Sequence, residues 1–271
     1  MVKVEVNGYS LYLDGKLKVK LDNIKKIMKK GWDAVILLDG MEGSGKSTLS
    51  FICGWYISDG KITINNICEG SEDAVKKLEK LPDGSLLIID EGSLMFSSKE
   101  VMRKEQRTLI KILQVIRQKC MCLIIVSPSI FDLNKYIAID RSRFLLHVYT
   151  DKDLNRGRFS YFSQKKKSFL YNYGKKHFNS YAKPRADFVG RFTKFDPFGE
   201  EYKELKRKSL AEAFDVKSET PLQVERRTKK ELLQRISRSL PIKTLKQLSE
   251  VVETNRVILS KWKNEPVIVN K

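Results

Sequence analysis

The run Gly40-Met41-Glu42-Gly43-Ser44-Gly45-Lys46-Ser47 has the spacing G-x-x-x-x-G-K-[ST]. Glycines at these positions let successive backbone N–H groups turn inward around phosphate oxygens. A helix that opens at the end of such a loop adds the partial positive charge of its N-terminus. Lys46 is then expected to reach the β- and γ-phosphates, and the Ser47 hydroxyl to ligand Mg²⁺. The expected nucleotide-binding set is Gly40, Glu42, Gly43, Ser44, Gly45, Lys46, Ser47 and Thr48, with ATP as the nucleotide.

A second group supplies acids. Leu86-Leu87-Ile88-Ile89-Asp90-Glu91 is an apolar run that ends in two carboxylates. Asp90, at a strand's C-terminal edge, is placed to hold Mg²⁺, usually through water. Glu91 beside it is placed to polarise an attacking water as general base.

These residues need elements to carry them. Ala34–Leu38 reads as a buried strand leading into the loop, and Gly45–Ile57 as the helix leaving it. Further along, Ile62–Ile67 reads as a strand, Ser71–Lys80 as a helix and Leu86–Ile89 as a buried strand. Met102–Lys119 reads as a long helix, with Leu109, Ile112, Leu113 and Ile116 spaced at three and four. Met121–Val126 and Phe144–Tyr149 complete the strands of this part. The first thirty residues read as short strands broken at Asn7-Gly8 and Asp14-Gly15, then a short helix over Asp22–Lys29. Short, fully apolar strands alternating with helices predict an α/β fold with a mainly parallel sheet covered on both faces.

Over residues 31 to 150 the sequence resembles the P-loop NTPases that carry an added strand and a catalytic glutamate, the RecA-like and AAA-like ATPases. The resemblance implies a polar sensor at the end of the strand Met121–Val126, where Ser127 stands. Ile89-Asp90-Glu91, Arg103–Lys119, Ser127-Pro128-Ser129-Ile130-Phe131-Asp132-Leu133 and Asp140-Arg141-Ser142-Arg143 look like ATPases of viruses, plasmids and other mobile elements. Among these the sequence resembles the zonular-occludens-toxin-like and FtsK/HerA-like groups. Their members often act as oligomeric rings on DNA, so a homo-oligomer is implied. An oligomeric ATPase usually needs an arginine to offset charge on the γ-phosphate, and Arg141 or Arg143 is the expected finger.

The character changes after residue 150. Residues 151–194 hold 12 Lys+Arg, 3 acidic residues and ten aromatics. Cations bind phosphates and rings can stack on bases, which suits DNA or RNA. Lys165, Lys166, Lys167, Lys175 and Lys176 are the expected contacts. A hairpin extension whose rings pack on the core is the other reading. Nearer the C-terminus, Thr244–Lys263 looks like a helix-turn-helix in which Asn255 caps the second helix and Arg256 and Lys261 face DNA. Glu253 stands where many such motifs have Gly. The expected organisation is an ATPase core over 1–150, a basic aromatic extension over 151–199, a helix and linker over 200–228 and the helical module over 229–271.

Composition limits the classes. The chain has 271 residues, 41% of them hydrophobic, which supports a core and argues against disorder. Its 52 Lys+Arg against 33 Asp+Glu give a net charge of +19, which fits a polyanionic partner. Most of that excess lies after residue 150. No apolar run approaches the ~20 residues of a membrane span, so a soluble, cytoplasmic protein with no membrane partner is expected. Cys53, Cys68, Cys120 and Cys122 form no CxxC pair and read as reduced thiols rather than zinc ligands. The sequence thus predicts a Mg²⁺-dependent ATPase acting on the DNA of a mobile element. An ATP-switched DNA-binding regulator is the alternative, and a nucleotide or small-molecule kinase is a lesser one.

Overall fold

The computed structural model describes residues 1–68, 71–90 and 103–215, with the side chains of 71, 72, 103–110 and 209–215 left aside. Its first elements are β1 (Val2–Val6) and β2 (Tyr9–Leu13), an antiparallel pair. Asn7 and Gly8 turn it with φ of 48° and 78°, the left-handed values that a two-residue hairpin needs.

Helix α1 (Gly15–Lys29) starts well before the expected Asp22. Asp14 caps it, accepting the N–H groups of Lys16 and Leu17 at 2.9 and 3.1 Å. Leu17, Leu21 and Ile24 then fall on one buried face.

The main sheet has seven strands, in the order β4-β5-β6-β3-β7-β8-β9. They are β3 (Ala34–Gly40), β4 (Ile67–Cys68), β5 (Leu86–Ile89), β6 (Cys122–Val126), β7 (Ser142–Tyr149), β8 (Arg158–Ser163) and β9 (Phe188–Arg191). The first five in spatial order run parallel, and β8 and β9 add antiparallel at one edge. The remaining helices are α2 (Lys46–Ile57), α3 (Ser71–Lys80), α4 (Arg103–Gln118), α5 (Gln164–Lys176) and α6 (Gly199–Asp215).

Successive strand residues point to opposite faces. Ile36 and Leu38 therefore join the layer that holds α1 and α2, while Val35 and Leu37 join the layer of α3, α4 and α5. Both faces are covered, as the apolar runs require.

Two further expectations change. Ile62–Ile67 is not a full strand: Ile64–Asn66 forms a tight 3-10 turn, and only Ile67–Cys68 pairs. Asn66 explains this, since its side chain accepts the Thr63 N–H at 2.9 Å and donates to the Leu86 carbonyl at 2.7 Å. The basic stretch after 150 is likewise not set apart from the core. Its β8, α5 and β9 continue the sheet, and Phe159, Tyr161, Phe162 and Tyr171 are buried in the two core layers.

The four cysteines are free thiols. Burial pushes the Cys53 thiol up to about 12, which keeps it protonated and inert. Among the described residues no helix is long and apolar enough to cross a membrane. Nor, among them, do three or more His, Cys, Asp or Glu side chains gather as a metal set.

Candidate nucleotide site

Strand β3 ends at Gly40, and the loop to α2 begins there against β7. Gly40 has φ +138°, and a Cβ on it would lie 1.9 Å from the Val148 carbonyl oxygen. Only glycine lets the loop leave the sheet at this distance. Gly43 and Gly45 are also left-handed, at +73° and +102°. Gly45 precedes α2 and no side chain caps that helix, so its first-turn N–H groups face the loop's concavity. The Ser44 hydroxyl is buried with no hydrogen-bond partner.

Lys46 folds back over this loop. Its Nζ donates to the Gly40 carbonyl at 2.8 Å and to the Met41 carbonyl at 2.9 Å. Burial lowers its pKa, while Asp90, Asp39 and Glu42 pull it back up. Ser47 donates its hydroxyl proton to the Asp90 Oδ2 at 2.9 Å, which unites the two expected metal ligands. The strand, the glycine loop, the folded-back lysine and the serine–aspartate pair together fit a P-loop NTPase fold.

A cavity of about 540 Å³ opens over the loop. Glu42, Gly43, Gly45, Lys46, Ser47, Thr48, Asp90 and Ser127 line it. Ser127 is buried, and its hydroxyl donates to the Ser129 carbonyl at 3.0 Å. Glu91 lies outside the described residues. So does the whole of the expected helix-turn-helix, with Asn255, Arg256 and Lys261.

Other expected residues fall elsewhere. Arg141 and Arg143 flank the start of β7, which pairs with Val35 at the start of β3, whereas the loop follows the end of β3. Arg141 is bound to Asp33 at 2.5 Å, and Arg143 donates to the Asp33 carbonyl at 3.5 Å. Neither reaches the phosphate loop of its own chain. Lys167 is fully buried and cannot contact nucleic acid, which corrects that expectation. Its ammonium donates to the Ala138, Ile139 and Ser142 carbonyls and to the Ser142 hydroxyl, closing the π-helical turn Tyr136–Arg141. Lys166 is ion-paired with Asp187 at 3.3 Å, and the Lys175 ammonium lies over the Tyr171 ring.

The structure adds residues that the sequence did not single out. Arg156 and Lys206 line the cavity. On α6, Tyr202 donates its hydroxyl to the Asp90 Oδ2, and the Lys206 Nζ lies 3.5 Å from the same oxygen. The i, i+4 spacing of Tyr202 and Lys206 puts both on one helical face, but nothing in the sequence aims that face at Asp90. Beside the loop, buried Asp39 accepts the Ile130 N–H at 2.9 Å and the Tyr181 hydroxyl, and its Oδ1 lies 2.8 Å from the His147 Nδ1. Burial and the Asp39 charge hold the Tyr181 hydroxyl well above its ordinary pKa, so it stays a donor.

No family model matches the sequence, and no curated protein matches it. Among solved structures it is similar to the genome packaging NTPase B204 of Sulfolobus turreted icosahedral virus 2 in complex with ATP-gammaS. That match has 17% identity and a TM-score of 0.36, covering 50% of this chain and 94% of the other. It is similar to the N-terminal domain of zonular occludens toxin from Neisseria meningitidis, with 14% identity, TM-score 0.39, and coverage of 61% and 96%. A DNA polymerase III gamma subunit-related protein of Thermotoga maritima gives 16% identity, TM-score 0.36, and coverage of 49% and 47%.

Proposed function

We propose that this chain is a Mg²⁺-dependent ATPase that acts on DNA. The observation that carries the reading is the meeting of Lys46, Ser47 and Asp90 at the floor of a cavity walled by a glycine loop and a helix N-terminus. Phosphate oxygens fit the loop's inward N–H groups, and Lys46 exchanges its two carbonyl partners for the β- and γ-phosphates. The donor set fits Mg²⁺, which takes hard oxygen ligands. Ser47 and Asp90 would hold it, and a cation, Lys206, already sits against that carboxylate. When bound, the ion neutralises charge on the phosphates. Glu91, next to Asp90 in sequence, takes a proton from the attacking water as general base.

The DNA half of the proposal rests on charge. Lys165, Lys166, Lys175 and Lys176 of α5, with Asn255, Arg256 and Lys261 near the C-terminus, are the proposed contacts. Most aromatics of the basic stretch serve the core, so phosphate contact rather than base stacking is the mode proposed there. A homo-oligomer working in replication, packaging, partitioning or translocation of a mobile element's DNA is the proposed setting.

The test is ATP hydrolysis with and without single- and double-stranded DNA, paired with mass measurement in ATP. Stimulation by DNA is expected. No DNA effect on rate, with no binding at low salt, sinks the DNA half of the reading. No nucleotide binding by the wild type sinks all of it. One observation favours a second reading, an ATP-switched regulator: α6 engages Asp90, so nucleotide and metal compete with a helix contact. Glu91→Gln separates the two. A motor loses function, whereas a switch stays locked in its ATP-bound state and still binds DNA.

A further inference from the structure

Arg156 stands at the mouth of the nucleotide cavity in the turn between β7 and β8. A Cβ built on Gly43 would lie 3.8 Å from its Nη2, so the guanidinium overhangs the phosphate loop. It has no hydrogen-bond or ion-pair partner among the described residues.

The turn that carries it is braced. Asp151 accepts the N–H groups of Asp153 and Asn155 on one oxygen, at 3.1 and 2.9 Å. Its other oxygen takes Arg158 at 3.1 Å. The next residue, Gly157, has φ +96°, and a Cβ there would lie 2.5 Å from the Phe192 carbonyl oxygen. Gly157 also accepts the Phe192 N–H at 2.9 Å. The Phe192 ring in turn lies 3.3 Å from where a Gly45 Cβ would be. One residue therefore clips the arginine's turn by its backbone and touches the phosphate loop with its ring. Packing thus fixes the backbone that carries Arg156 beside the loop.

We infer that Arg156 contacts the terminal phosphate of the nucleotide bound in its own chain, and that it sets the preference for a triphosphate over a diphosphate. The inference rests on the nucleotide reading above. A guanidinium presents a rigid fork of donors that fits phosphate oxygens. Within the chain it supplies the charge that Arg141 and Arg143, at the other end of the sheet, do not. Charge on the γ-phosphate oxygens and the bridging oxygen changes during transfer, so the contact aids turnover as well as binding.

The test is equilibrium binding of a non-hydrolysable ATP analogue and of ADP to the full chain, for wild type, Arg156→Ala and Arg156→Lys. Lys152→Ala, on the same turn and exposed, is the control. Wild type should prefer the analogue. Arg156→Ala should weaken the analogue about 10-fold and ADP less than about 2-fold, with Arg156→Lys between them. In turnover Arg156→Ala should lose about 100-fold, and mixing it with Lys46→Ala chains should not restore the rate. Equal losses for both nucleotides, or no loss for either, overturn the inference. So does restored turnover in the mixture, which would place the arginine on a neighbouring chain's nucleotide. A wild type that binds neither nucleotide overturns the nucleotide reading instead.

Discussion

Single residues decide whether this site can exist, and Gly40 shows how tightly. A methyl at Gly40 would lie inside the contact distance of the Val148 carbonyl oxygen, in a backbone conformation that alanine avoids. Gly40→Ala should cost on the order of 3 kcal/mol in urea unfolding and should also weaken nucleotide binding. Lys167 makes a different claim. Its burial pushes the ammonium pKa down to about 7 from 10.5, against a smaller pull upward from Asp140. The unfolded chain then binds more protons than the folded one between those values, so stability contributed through this group rises as pH climbs from about 7 to about 10. Below pH 7 both states are protonated and the burial penalty is present in full. Urea unfolding of wild type and Lys167→Met at pH 7 and pH 9.5 checks this. The difference between the two proteins should shift in favour of the wild type at the higher pH, and a constant difference would refute it. That a lysine in a basic run is a core residue was not legible. Lys165, Lys166 and Lys167 look alike in sequence, and only the helical turn decides which of them faces the π-helical carbonyls.

Elements bring distant residues to one point, and α6 does this at the metal position. Tyr202 and Lys206 both engage the Asp90 carboxylate that the proposed Mg²⁺ would use. A cation and a hydroxyl there compete with the ion. Lys206→Ala should therefore raise apparent Mg²⁺ affinity about 2- to 5-fold, in keeping with a partly exposed ion pair. Mg²⁺ titration of nucleotide binding measures it; an unchanged or lower affinity would show that the contact does not compete. The strands were the most legible elements. Val35–Leu38, Leu86–Ile89 and Leu123–Val126 are uninterrupted short apolar runs, the pattern of strands in a sheet covered on both faces. Helix α1 was legible only in its second half, because its first turns mix lysines with the apolar face that Leu17 and Leu21 supply. Ile62–Ile67 misled because β-branched residues favour strands, while the bonds of Asn66 outweigh that preference locally.

At the scale of the molecule the question is where the folded unit ends. The change of composition at residue 150 suggested a boundary, yet β7 pairs with β8 on its far side. A chain ending at 150 would bare the β7 edge and lose Phe159, Phe162, Leu170 and Tyr171 from both core layers. Such a chain should fail to fold cooperatively, whereas a chain ending at Asp215 should show a single thermal transition by circular dichroism. Cooperative melting of residues 1–150 would contradict this. Charge counts misplaced the boundary because Lys165, Lys175 and Lys176 lie on the outer face of α5 while Phe159, Phe162 and Tyr171 are buried. Composition averages over both faces, and burial separates them.

The Phe192 clip also has a consequence for synthesis. The glycine loop is complete when residue 47 leaves the ribosome, but the ring packed on Gly45 and the backbone that pins Gly157 come with residue 192. At ~5–20 residues per second, that leaves the loop without its ring for roughly 7–30 s in every newly made chain. Nucleotide that binds in this interval meets a loop without its clip and without a fixed Arg156. Stalled chains released with residues up to 190 or up to 215 would differ in nucleotide retention, the longer holding it and the shorter letting it go.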